Sequence, residues 1–157
     1  MINAGDAADH GDPFDLSRFI SAQNEIYDQV LAELRSGRKR THWMWFVFPQ
    51  MDGLGFSATT KYYAIKNREE ARRYLNHPLL GPRLRECAAA VLAVEGRSAA
   101  AIFGSPDDQK LQSSMTLFAS VAGPGSLFSR VLDTYFHGER DVSTLHLLEK
   151  SQERMGE

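Results

Sequence analysis

Gly37-Arg38-Lys39-Arg40-Thr41-His42-Trp43-Met44-Trp45-Phe46-Val47-Phe48-Pro49-Gln50 is the stretch on which the fold class turns. Together with Arg35, four basic residues run into both tryptophans of the chain, then into Phe46, Phe48 and a Pro-Gln that ends the run. A short apolar run fits a buried strand or a short buried helix equally well, and periodicity alone does not separate the two. No other stretch offers a strand to pair with it, so we read a helix over residues 42–48, with Thr41 as its cap and Pro49 as its stop.

Upstream, Asp12-Pro13-Phe14-Asp15 is a helix-entry signal, and Leu16, Phe19, Ile20, Tyr27, Val30, Leu31 and Leu34 recur at three- and four-residue spacing. That pattern predicts one amphipathic helix, ended by Gly37 after a basic last turn that suits the helix dipole. Downstream, Asp52-Gly53-Leu54-Gly55 is a loop, and Ser57 opens a short helix over 58–65. Asn67 with Glu70 has capping-box spacing ahead of a helix over 68–75, broken by Asn76-His77-Pro78. Leu80, Leu84, Cys87, Val91 and Val94 mark one face of a long helix reaching Glu95. Residues 98–103 form a short one closed by Gly104. Ser105-Pro106-Asp107-Asp108 reads as cap, proline and two first-turn acids. It opens a helix carrying Leu111, Met115, Phe118 and Ala122. Two more helices follow, one through Leu127, Phe128, Val131, Leu132, Tyr135 and Phe136, the other starting at Asp141 or Ser143. The fold class is all-α: a single compact domain of about eight helices, several short. Its expected limits are a disordered leader over 1–12, the helical domain over 13–150, and a polar tail over 151–157.

Composition fits this. A chain of 157 residues, 43% hydrophobic and 24% charged, has the make-up of one globular domain. The net charge of −2 provides no global field for nucleic acid, so anion attraction has to be local. A single cysteine, Cys87, excludes an intramolecular disulfide and fits a reducing compartment. With no apolar signal core and no membrane-length apolar run, the expectation is a cytoplasmic protein without a membrane partner.

Several runs together resemble one small bacterial family. They are the 42–50 stretch, Tyr63-Ala64-Ile65, Tyr74-Leu75-Asn76-His77-Pro78-Leu79-Leu80-Gly81, Ile102-Phe103-Gly104 and Lys110-Leu111-Gln112-Ser113-Ser114-Met115-Thr116-Leu117-Phe118. Members of that family carry a domain of unknown function and are sometimes labelled calpastatin-like. The resemblance spans residues 14–148 and implies a helical, cytoplasmic protein, with no established activity to carry over to named positions. The calpastatin label has no support in this sequence, since calpastatin is a long disordered inhibitor.

Chemistry has two candidate locations. Trp43, Trp45 and Phe48 would wall a pocket, with His42, Gln50, Arg40 and Tyr63 supplying polar contacts. The competing reading is that these aromatics simply fill the core. Lys110 and Ser114, one helical turn apart, would line the facing side, with Asp107 or Asp108 as the lysine's partner. If the protein is an enzyme, His42 is the candidate general base and Lys110 the anion stabiliser. The five histidines are scattered without metal-binding spacing, so no metal site is expected, and His77 reads as ordering a helix boundary. No cofactor motif occurs: Gly53 and Gly55 lack the full dinucleotide-binding pattern. The cationic patch is too short to argue for nucleic acid. The functional expectation is therefore a small anionic ligand, nucleotide-like or aromatic, in an aromatic-walled pocket. The alternative is a non-enzymatic interaction or regulatory module. Oligomeric state is not encoded in any of these features.

Overall fold

The computed structural model describes residues 11–156. All but the last two positions of the expected leader therefore lie outside the described residues. Asp12 is tied in: its carboxylate accepts from the backbone N–H groups of Leu16 and Ser17, at 2.5 and 3.1 Å.

Among the described residues there are ten helices and no strand. They are α1 (Ser17–Asn24), α2 (Tyr27–Arg35), α3 (Met44–Val47), α4 (Ala58–Tyr62), α5 (Arg68–Asn76), α6 (Leu80–Ala93), α7 (Ala99–Phe103), α8 (Asp107–Ala122), α9 (Leu127–Phe136) and α10 (Val142–Gly156). The all-α expectation holds, and the aromatic run is indeed helical, for one turn. Among the described residues the only extended pairing is a single parallel bridge between Met51 and Ile65. None of these helices is long and apolar enough to cross a membrane.

Helix α8 is the hub, packing against α5, α7, α9 and α10, while α6 packs against α2, α5 and α9. Between them lies one core whose largest fully buried side chains are Trp43, Tyr74, Phe19, Phe48, Phe118 and Phe128. Several starts follow the local rules. Ser57, Asn67 and Ser98 each accept from the backbone N–H three residues on, satisfying a first-turn donor that would otherwise lack a partner. The imidazole Nδ1 of His77 accepts from the N–H groups of Leu79 and Leu80, so this histidine orders the α5–α6 boundary.

The structure departs from the expected elements at five points. The long first helix is two, broken at Glu25 and Ile26, because α1 packs on α3 whereas α2 packs on α6 and the chain must change direction between them. Thr41 does not cap α3; its hydroxyl is drawn instead to Glu33, 2.6 Å away. Helix α8 begins one residue later than its cap signal implies, with Pro106 rather than Ser105 at the boundary and Asp108 N–H bonded to the Gly104 carbonyl. Glu70 does sit in the first turn of α5, but its main role is different. It is fully buried and pairs with Arg18 at 2.7 Å. The last helix, α10, runs on past residue 150 to Gly156, with Ser151 buried.

The Arg18 guanidinium donates to Glu70 and to the carbonyls of Phe14, Asp15, Tyr62 and Ala64. It thereby ties the chain entry and the α4 exit to α5. Buried ion pairs stabilise little relative to apolar packing, but removing one partner leaves a bare charge inside. Arg18→Met should therefore cost about 3–5 kcal/mol in urea unfolding. Arg18→Met with Glu70→Gln should cost clearly less than the sum of the two single changes. A loss below about 1 kcal/mol for Arg18→Met would show that the pair does not hold these segments.

Candidate functional site

The site is assembled around the end of α2. Gly37, with φ of +78°, closes the helix in the left-handed conformation that glycine adopts without strain. Its N–H bonds the Leu34 carbonyl, and the Arg38 N–H bonds that of Glu33, the paired closure of a Schellman motif. The Glu33 side chain then gathers the following loop. Its Oε1 accepts from the backbone N–H groups of Arg40 (2.6 Å) and Thr41 (3.0 Å) and from the Trp43 indole N–H (3.0 Å). Its Oε2 accepts from the Thr41 hydroxyl and the Gln29 amide. Burial by itself would raise this carboxyl. The hydrogen bonds from Thr41, Arg40 and Trp43 outweigh it and hold the pKa down at about 2.

With its indole N–H committed to Glu33, Trp43 points inward and meets Phe48 and Phe103 at ring-centroid distances of 6.2 and 6.5 Å. Met44 and Val47 are buried beside them, while Trp45 and Phe46 are only half-buried. One turn of helix thus splits the aromatic run into a core side and an outer side.

Beside this run two lysines share one carboxylate. Lys39 Nζ lies 2.9 Å from Asp107 Oδ2, donates to the Thr41 carbonyl at 2.6 Å, and sits 5.1 Å from the centre of the Trp43 ring. Lys110 Nζ has only a long contact to Asp107 Oδ1, at 3.6 Å, and stands 5.3 Å over the Trp45 ring. Lys110 also lines an open cleft of about 440 Å³ formed by the 54–60 segment, α8 and the start of α10. Gln50, Thr60, Gln112, Ser113, Asp141 and Ser143 contribute its polar groups. A narrow crevice continues from it past Gln50 and Thr60 to Trp45 and Tyr63. The loop forming one lip is held by Gly53, φ +107°, where a Cβ would come within 2.9 Å of Leu147 on α10.

The sequence-derived candidates divide accordingly. Gln50 and Lys110 line the cleft, and Trp45 and Tyr63 line the crevice beside it. Trp43 and Phe48 are in the core. Arg40 is exposed and borders a separate shallow hollow beside Gln29 and Glu33. His42 is exposed and does not line the cleft, so His42 and Lys110 are not brought together as a base and an anion stabiliser. Ser114 is fully buried, its hydroxyl without a hydrogen-bond partner among the described residues, and its neighbour Ser113 faces the cleft instead. Thr60, Asp141 and Ser143 were not singled out in the sequence. Asp141 and Ser143 were visible only as alternative starts of the last helix, and the Gly53–Gly55 loop was the one signal of a lip.

These features define an all-α domain with an open polar cleft on the outer side of its aromatic turn. Residues 13–148 match the family described as a protein of unknown function, DUF1810, and the chain belongs to that family. It is similar in structure to the conserved hypothetical protein Rv1873 from Mycobacterium tuberculosis, known from a crystal structure. The TM-score is 0.86 and the identity 54%, over 88% of this chain and 99% of that one. No curated protein matches the chain.

The depressed Glu33 carboxyl sets a pH dependence. Its contribution to stability is fully present above the ordinary value of 4.5 and is lost as pH falls through about 2. Over that window the wild type should lose about 3 kcal/mol through this group. Glu33→Gln should be less stable at pH 7 and should lack that part of the acid slope. Parallel acid limbs in urea titrations of the two proteins at pH 5 and pH 2.5 would refute the assignment.

Proposed function

We propose that the protein binds a small anionic ligand in the cleft, with Lys110 as the partner of its negative group. Gln50, Ser113 and Thr60 supply hydrogen bonds, and Trp45 with Tyr63 forms the aromatic end. The observation that carries this reading is the unequal sharing of Asp107. Lys39 takes the short contact and a backbone carbonyl, leaving Lys110 with a 3.6 Å contact, an indole face and the open cleft. An ammonium has three donors, and among the described residues this one has no hydrogen-bond partner closer than the long contact to Asp107. The indole removes water from one side of it, which strengthens its pull on an incoming carboxylate or phosphate.

A second reading, a module that docks another protein, draws on Phe56, 83% exposed, and Val142, 77% exposed. Each neighbours residues that line the cleft in sequence, and large exposed apolar groups often mark contact surfaces.

Thermal unfolding against a panel of small carboxylates, phosphates and nucleotides separates the two. A ligand at a hundredfold its Kd should add about 2.7 kcal/mol. For a chain of this size that raises Tm by roughly 5–10 °C. Lys110→Met should weaken the active ligand by roughly ten- to a hundredfold, the worth of one charge-assisted hydrogen bond. Stabilisation that survives Lys110→Met, or none from any anion, would leave only the docking reading.

A further inference from the structure

We infer that the ligand is a zwitterion of the amino-acid or short-peptide class, its carboxylate on Lys110 and its ammonium on Asp141. This rests on the anion reading above and narrows it. The cleft lining contains one cation, Lys110, and one anion, Asp141; every other polar group is a neutral amide or hydroxyl. A nucleotide would bring two or more negative charges to a single ammonium that Asp107 already partly neutralises, and would meet the Asp141 carboxylate in the same cleft. Like charges brought into one cleft repel, so the lining selects against polyanions.

Asp141 is placed to act as the second charge. Its backbone N–H donates to the Thr116 hydroxyl at 2.9 Å, anchoring it to α8. Its Oδ2 accepts from the N–H and hydroxyl of Thr144, capping α10. Its Oδ1 has no hydrogen-bond donor among the described residues, so a fixed acceptor remains for an ammonium. Between the two charges, the amides and hydroxyls of Gln50, Thr60 and Ser143 suit peptide groups or a polar side chain. The volume of about 440 Å³ falls within the usual range for small-ligand sites and has room for a dipeptide.

Calorimetric titration with L-glutamine, L-phenylalanine and glycyl-L-glutamine, each beside its N-acetyl and C-terminal amide forms, tests this. AMP and benzoate serve as anions without an ammonium on a flexible backbone. At least one zwitterion should bind, and N-acetylation and amidation should each weaken it by about tenfold or more. Lys110→Met should abolish the penalty for amidation and Asp141→Asn the penalty for N-acetylation. Asparagine also caps helices well, so the Asp141→Asn protein should stay folded. The wild-type penalties test the assignment even without that variant. AMP or benzoate binding at least as tightly as every zwitterion, or N-acetylation without effect, overturns this inference and leaves the anion reading standing. No binding by any of these probes, AMP and benzoate included, overturns both.

Discussion

A single buried carboxylate sets the geometry on which the site depends. Glu33 receives hydrogen bonds from five donors in a segment of the chain that has just left α2 and not yet entered α3, apart from Gln29 on its own helix. An irregular loop entering a core needs partners for its N–H groups, because a buried donor left bare costs about as much as a hydrogen bond is worth. Glu33 supplies them without a strand. By also taking the Trp43 indole N–H, it fixes which face of the following turn goes inward. Trp43 and Phe48 enter the core, Trp45 is left on the outer surface, and Lys39 from this stretch reaches Asp107 on α8, where Lys110 also contacts it.

The contest between pocket and core that the aromatic run presented is thus resolved by division. In a helix, side chains two apart lie on different faces, and here Trp43 and Trp45 take those two faces. The expectation of an aromatic-walled pocket needed both indoles on one side, which one turn of helix does not allow. What remains outside is one indole beside one lysine, a smaller surface but a more polar one.

Much of the fold was legible because its signals are local. Helix starts at Ser57, Asn67 and Ser98 depend on an acceptor three residues from its donor, and the stripe on α8 depends on 3.6-residue periodicity. A partner for Lys110 at Asp107 or Asp108 was legible for the same reason, and it is Asp107, three residues away on one helix, that makes the contact. What was hidden depends on distant pairing. Arg18 and Glu70 are 52 residues apart, and nothing in either neighbourhood marks them as partners. Glu33 reads as an ordinary acidic residue near a helix end, although its chemistry lies in residues 40–43. The kink between α1 and α2 was hidden too, since the apolar spacing runs on through it. Only the different partners of the two halves require it. At the site, Asp141 carried a helix-start signal that concealed its place in the cleft, although the cap occupies only one of its carboxylate oxygens.

The nucleophiles of the chain argue for what kind of chemistry the cleft lends itself to. Cys87 is fully buried, and its burial pushes the thiol up to about 12, so it holds its proton and acts as a small apolar group. The Ser113 hydroxyl donates to the Gln109 carbonyl, and Thr60 Oγ1 accepts from Ser57. Neither is coupled to a base, and no histidine lines the cleft. Activation of a hydroxyl needs a basic acceptor for its proton within hydrogen-bond reach, and the acceptor of the Ser113 hydroxyl is a backbone carbonyl. The groups that do face the opening, an ammonium, a carboxylate and several amides, act by charge and by hydrogen bonding. They are held on α8, on the start of α10 and on a loop whose glycine sits against Leu147, elements whose positions the core already fixes. A site of that kind loses little freedom when it closes on a ligand, and preorganisation of fixed polar groups is what favours selective binding.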